Sequence, residues 1–162
     1  MPTPEPLIRR ATARDAGSLG RLGALLVEEH HDFDGRRFLA ATTRTPDLYA
    51  GFLTSQLSES DVVVLVAEHE CSVIGYAYGA VESYDYMALR GPAAVLHDLI
   101  VDPAYRGRGV GRALLNAMVV AFTNHRAPRV VLSTAERNTS AQRFFDRMGF
   151  RRTMVEMTRE LE

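Results

Sequence analysis

Residues 106–111 read R-G-R-G-V-G, between a strand-like V-L-H-D-L-I-V-D-P-A-Y and a helix-like R-A-L-L-N-A-M-V-V-A-F. The first N–H groups of a helix have no partner inside it, and with the macrodipole they form an anion site. Gly107, Gly109 and Gly111 remove Cβ atoms where the backbone must bend close to a ligand, while Arg106, Arg108 and Arg112 supply full charges around it. The ligand this predicts is a phosphate or pyrophosphate. A nucleotide P-loop would need Gly-Lys-Ser/Thr, which is absent, and a dinucleotide fingerprint fails because Arg112 stands where its last glycine belongs. Upstream, His97 offers a base, imidazole being the side chain that titrates nearest neutrality, and Asp98 a carboxylate beside it. Alternation puts His97 on the same side of its strand as Leu99, and Asp98 on the other side unless a bulge intervenes.

These residues need a scaffold. A short strand at 7–12 ends where Thr12 would cap a helix carrying Leu19, Leu22, Leu25 and Leu26 at helical spacing. Thr45-Pro46 opens a second helix to about Ser58, and V-V-V-L-V-A-E-H with S-V-I-G-Y-A-Y-G-A-V-E-S then reads as a hairpin. Its second strand sets Ile74, Tyr76 and Tyr78 against Gly75, Ala77 and Gly79, leaving one face nearly bare for something to approach. Further elements are expected as strand 94–102, helix 109–125, strand 129–134, helix 139–148 and a last strand 152–161. Antiparallel strands followed by β-α-β predict an α/β fold, a mixed sheet with helices on its faces.

Composition narrows the class. The 162 residues suit one domain, and 46% apolar with 24% charged residues describe a folding globular chain. The net charge of −1 disfavours bulk nucleic-acid binding, leaving only a local basic patch to attract a polyanion. The opening M-P-T-P-E-P has no basic and apolar leader, and no apolar run approaches a membrane span, so no membrane role and a cytoplasmic location are expected. The single Cys71 excludes an intramolecular disulfide and a thiolate-rich metal site. His30, His31, Asp32 and Asp34 are ligand types, yet adjacent histidines rarely converge on one ion and no distant partner is evident; no metal is expected.

Two stretches resemble the GNAT superfamily of acyl-coenzyme A dependent N-acetyltransferases. Arg106, Gly109 and Gly111 match its Arg/Gln-x-x-Gly-x-Gly/Ala motif at a strand–helix junction, and N-T-S-A-Q-R-F-F-D-R-M-G-F matches its later helix at Asn138, Ala141, Phe144, Gly149 and Phe150. The resemblance is specific over 95–150. It implies a mostly antiparallel sheet of about six or seven strands, a splayed strand pair at the cofactor cleft and about four flanking helices. The backbone of Leu99, Ile100 and Val101 would bond the pantetheine arm of acetyl-coenzyme A, amides from Gly107, Arg108, Gly109, Val110, Gly111 and Arg112 the pyrophosphate, and Asn138 would sit beside the pantetheine or departing thiol.

The same resemblance assigns roles to the acid–base residues. A histidine stands at the place of His97 in the serotonin acetyltransferases, and a glutamate followed by an aspartate in the diamine acetyltransferases resembles His97-Asp98. His97 would take the proton from a primary ammonium, and Asp98 would anchor the substrate or bond a neighbouring loop. The acceptor pocket is expected near His31, Asp32, Asp34, Tyr84, Glu82 and Asp85, whose charge would favour a cationic amine or simply be solvated. Two departures matter: Phe145 stands where many relatives carry a thiolate-protonating tyrosine, leaving that work to water, Tyr84, Tyr86 or Tyr105, and Ser133 stands where ribosomal-protein alanine acetyltransferases carry a glutamate base. The expected activity is direct acetyl transfer to an amine in a ternary complex; the alternative is a non-catalytic module that binds or senses acyl-coenzyme A. A homodimer paired through the last strands is also implied by the family.

Overall fold

The computed structural model describes residues 5–161. Residues 1–4, part of the stretch read as lacking a leader, lie outside the described residues. Five strands, β1 (Leu7–Arg10), β2 (Val62–His69), β3 (Ser72–Glu82), β4 (Ala93–Val101) and β5 (Val130–Leu132), form one sheet in sequence order. Pairs from β1 to β4 are antiparallel; β4 and β5 are parallel, as the crossover through α3 (Val110–Asn124) requires. The other helices are α1 (Ala16–Phe33), α2 (Thr45–Gln56) and α4 (Thr139–Arg147). Among the described residues no helix is long and apolar enough to cross a membrane.

Each face of the sheet carries its own core. On one, Val63, Leu65, Ala77 and Leu96 pack against Leu114, Leu115, Met118 and Phe122 of α3, with Phe144 and Phe145 of α4 at the margin. On the other, Val64, Val66, Tyr76, Tyr78 and Ile100 pack against Leu19 and Leu22 of α1 and Leu53 of α2. The bare side of β3 is occupied by α3: a Cβ on Gly79 would lie 2.7 Å from Phe122 Cζ and 2.5 Å from the Val95 carbonyl oxygen. What approaches this face is therefore the protein's own helix. Ile74 does not share the side of Tyr76 and Tyr78 as alternation predicts. The β2–β3 register slips there, pairing Ala67 with Gly75 and Glu68 with Val73, and Ile74 joins the α3 core.

Two further expectations are corrected. Among the described residues the sheet has five strands where about six or seven were implied, and residues 151–161 form no strand. Their pattern suits a strand, but they make no backbone hydrogen bond to the described residues, and each is exposed. Arg152 reaches Gln142 and Glu156 pairs with Arg37, so the segment is tethered by side chains alone.

The entry to α1 is fixed by charge. Asp15 is 6% exposed, accepts the Thr12 N–H at 2.8 Å, and holds Arg9 through both oxygens at 2.8 and 2.9 Å. The Arg9 hydrogen bonds, opposed by burial and helped by Thr12, hold the Asp15 carboxyl below its ordinary range. Its stabilisation is fully present above the titration of an unfolded aspartate and is lost as pH falls through the depressed folded value. Asp15→Asn is expected to cost about 2–3 kcal/mol at neutral pH, as for charge-assisted bonds lost from a buried acceptor. In urea unfolding curves, the gap between the two proteins should close on acidification below the ordinary aspartate range.

Candidate active site

The glycine turn is built by backbone geometry. After β4, Asp102 accepts the Ala104 N–H at 3.1 Å and caps a 3-10 turn over Pro103–Tyr105, which redirects the chain. Gly107 and Gly109 then adopt φ of +73° and +83°, left-handed conformations that a Cβ penalises. With Gly109 as N-cap, α3 begins at Val110, and the first bond of its interior runs from the Ala113 N–H to the Gly109 carbonyl at 2.9 Å. The successive amides of Gly107 to Arg112 make no hydrogen bond of ordinary geometry to the described residues. Gly111 plays another part. A Cβ there would lie 3.8 Å from Val101 Cγ2 and 3.9 Å from Phe144 Cζ, which puts it in the gap between β4 and α4.

That gap is a cleft of about 1210 Å³. It exists because β5 pairs with β4 only at Ala94–Val130, Val95–Val131 and Leu96–Leu132, after which β4 continues to Val101 with no partner strand on that side among the described residues. His97, Leu99, Ile100 and Val101 line it from β4, and Arg106, Gly107, Gly109, Val110, Gly111 and Arg112 from the turn and α3. Asn138 and Asp32 line it as well, whereas Asp98, Arg108, His31 and Tyr84 do not. Arg108 lies over the Tyr105 ring at 5.6 Å. Tyr84 stacks on Tyr86 in the exposed β3–β4 loop. His31 donates through Nδ1 to the Phe38 carbonyl at 3.0 Å, at the end of α1. Asn138 caps α4 by accepting the Ala141 N–H at 3.1 Å. Arg106 bonds the Val101 carbonyl at 2.8 Å through Nε and pairs with Glu29 through Nη2, lacing the turn to β4 and α1. Phe145 lines the cleft, and of the tyrosines considered for thiolate protonation, Tyr105 does too.

The acid–base pair departs from simple alternation. Tyr78 pairs with Asp98 and Gly79 with Leu96, so His97 is the extra residue of a bulge in β4. The expectation that His97 shares the side of Leu99 is corrected: Leu99 packs toward α3, whereas His97 stacks on Tyr78, of the opposite core, with ring centroids 5.2 Å apart. Its Nε2 lies 2.8 Å from Glu82 Oε1. A carboxylate only accepts, so Nε2 carries the hydrogen and Nδ1 keeps the free lone pair of the neutral ring. Asp98 lies behind this wall and accepts from the hydroxyl of Tyr76 at 2.8 Å. Burial pushes its carboxyl above the ordinary range, against the Tyr76 bond and the fields of His97 and His30. Burial, with Asp98 nearby, likewise raises the Tyr49 phenol to about 12 and the Tyr76 phenol beyond it.

Sequence reasoning did not find Tyr76, His30, Glu29 and Arg90 as parts of this site. His30 lines the cleft and donates through Nδ1 to the Leu26 carbonyl at 2.8 Å. Among the described residues no group of three His, Cys, Asp or Glu is arranged to hold a metal ion. The cradle suits the coenzyme implied above in two respects: free amides at a helix start for a diphosphate, and an unpaired strand edge for an amide-bearing arm. Gly109→Ala is expected to cost roughly 1–2 kcal/mol in denaturant titration, the penalty of a Cβ in the left-handed region.

The family model for the acetyltransferase (GNAT) family matches residues 24–150. An uncharacterized N-acetyltransferase of Mycobacterium tuberculosis strain H37Rv is 28% identical over 117 residues, covering 65% of this chain and 69% of that one. A tetramutant of the BH1408 protein of Bacillus halodurans superposes with a TM-score of 0.83 at 24% identity, over 96% of this chain and 99% of that one. The aminoglycoside acetyltransferase AAC(6')-Iy, in complex with the bisubstrate analog CoA-S-monomethyl-acetylneamine, gives 0.76 at 20% identity over 98% and 99%. At these identities the two structures speak for the fold, and the match across most of the sequence speaks for descent: the chain belongs to the acetyltransferase (GNAT) family.

Proposed function

We propose that this protein transfers the acetyl group of acetyl-coenzyme A to a primary amine by direct attack in a ternary complex. The observation that carries the reading is the run of free amides from Gly107 to Arg112, opening on a cleft whose other wall is the unpaired edge of β4. In this reading the coenzyme supplies the activated thioester. The turn amides and the start of α3 hold its diphosphate, the polar backbone of Leu99 to Val101 holds the arm behind it, and the amide of Asn138 borders the sulfur end.

An ammonium has no lone pair, so the acceptor nitrogen must lose a proton before or during attack. His97 takes it at Nδ1, the ring atom that Glu82 leaves free. Asp98, one residue on and behind the wall, is held by the Tyr76 hydroxyl at 2.8 Å and backs the ring from a fixed position. His31, Asp32 and Tyr84 are assigned to the acceptor side; Asp32 in the cleft wall supports a cationic acceptor. A chain of this class with an aminoglycoside acetyltransferase among its structural neighbours warrants aminoglycosides in any acceptor panel.

With acetyl-coenzyme A and a panel of alkylamines, polyamines, aminoglycosides and peptides, thiol release above the amine-free rate is expected. Coenzyme binding in calorimetry with no release across the panel would identify a binding module instead. His97→Gln is expected to lower turnover roughly 10²–10⁴-fold while leaving coenzyme affinity nearly intact, the contribution of a positioned base; unchanged turnover removes that assignment. Arg106→Ala is expected to weaken coenzyme binding by about 1–3 kcal/mol in calorimetry, as for a lost charge-assisted contact and its tether to the turn.

A further inference from the structure

We infer that Glu82 and Arg90 are positioning residues that fix the ring of His97, a role that rests on the reading of His97 as the proton acceptor. The chain of contacts begins in the β3–β4 loop. Asp85 and Arg90 exchange two backbone hydrogen bonds of 2.9 Å, and the Asp85 carboxylate accepts the amides of Met87 and Ala88, each at 3.0 Å. The loop thereby pins Arg90, whose side chain is only 15% exposed. Arg90 Nη2 donates to Glu82 Oε2 at 2.9 Å, and the other oxygen of Glu82 accepts from His97 Nε2 at 2.8 Å. Tyr78 supports the imidazole from its flat side, with the rings inclined by 26°.

Stability does not explain this arrangement. Glu82 and His97 are more than one-third exposed, and ion pairs so placed contribute little to folding while ordering two side chains. Its consequence is geometric. A bulged residue has no ladder partner to fix its direction, and His97 obtains that direction from Glu82 and Tyr78. Glu82 also chooses the tautomer, because a carboxylate on Nε2 requires the hydrogen there and keeps the lone pair on Nδ1. Arg90 holds the second oxygen of Glu82 and stops its carboxylate from rotating away.

The proton balance closes within these groups. One proton leaves the acceptor ammonium for Nδ1, and the neutral imidazole becomes an imidazolium with a hydrogen on each nitrogen. Glu82 stays a carboxylate throughout, so Arg90, Glu82 and His97 together pass from zero to one positive charge until the proton reaches solvent. Among the described residues the ring is also faced by the Tyr78 phenol stacked on it and by Asp98 on its own strand, which in turn feels His30 of α1. The pairing differs from a generic surface contact in that both oxygens of one carboxylate are used, one for each partner.

The test compares the full-length protein with Glu82→Ala, Glu82→Gln and Arg90→Ala. In proton NMR with ¹⁵N-labelled histidine, the wild type should show a downfield ring N–H signal, assigned to His97 by its loss in His97→Gln. That signal should vanish in Glu82→Ala and weaken in Arg90→Ala. With acetyl-coenzyme A and whichever panel amine releases thiol fastest, kcat should fall roughly tenfold or more in Glu82→Ala with the coenzyme KM unchanged. Glu82→Gln, whose amide oxygen still accepts from Nε2, should retain part of both. Melting temperatures should stay close to the wild type for the two Glu82 variants. Persistence of the ring signal in Glu82→Ala, or its loss with kcat intact, overturns the positioning role. Unchanged kcat in His97→Gln overturns instead the base assignment beneath it, whatever the ring signal does.

Discussion

At Leu96 the sheet changes character on both sides of β4 at once. Toward β5 the ladder stops, since Leu96–Leu132 is its last pair, and toward β3 the register slips at His97. A strand edge with unpaired N–H and C=O groups is costly unless water or a ligand satisfies it. Everything assigned to chemistry gathers around this interruption: the free edge beyond it, the bulged histidine at it, and the glycine turn that ends the same strand. The two cores hold the interruption open by fastening β4 through Leu96 on one face and Ile100 on the other.

The site therefore combines two kinds of rigidity. The turn is held by backbone preference, through glycines in conformations other residues avoid and a 3-10 turn capped by Asp102. The acid–base wall is held by side chains, through a tyrosine bonded to Asp98, an arginine-bound glutamate on His97, and two aromatic rings. The first is encoded locally. The second is assembled from β3, β4 and their loop, and depends on how those elements are paired.

That difference decides what could be read from the sequence. The turn at 106–112 was legible because only glycine tolerates the torsions it needs and because an amphipathic helix follows at once. Helices α2 and α4 and strands β2 to β4 were legible from caps and periodicity. The face of His97 was not, because alternation assumes an unbroken pleat and a one-residue bulge reverses it. Ile74 was misread for the same reason. Glu82 and His97, 15 residues apart, meet only once the β3–β4 register is known. Residues 151–161 looked like a strand because propensity is visible in sequence, whereas docking on a sheet edge is not, and they make no backbone hydrogen bond to the other described residues.

The parting of β4 from β5 also shapes how the molecule breathes. β5 is attached to the rest of the sheet by three ladder pairs, and α4 follows directly from it. Segments with so few backbone bonds open locally well below the free energy of global unfolding. A molecule lodged between the strands acts as mortar across that joint, and by mass action each tenfold excess over its Kd adds about 1.4 kcal/mol to the folded state. The abundance of such a molecule in the surroundings would thus set, along with occupancy, how firmly that joint stays closed.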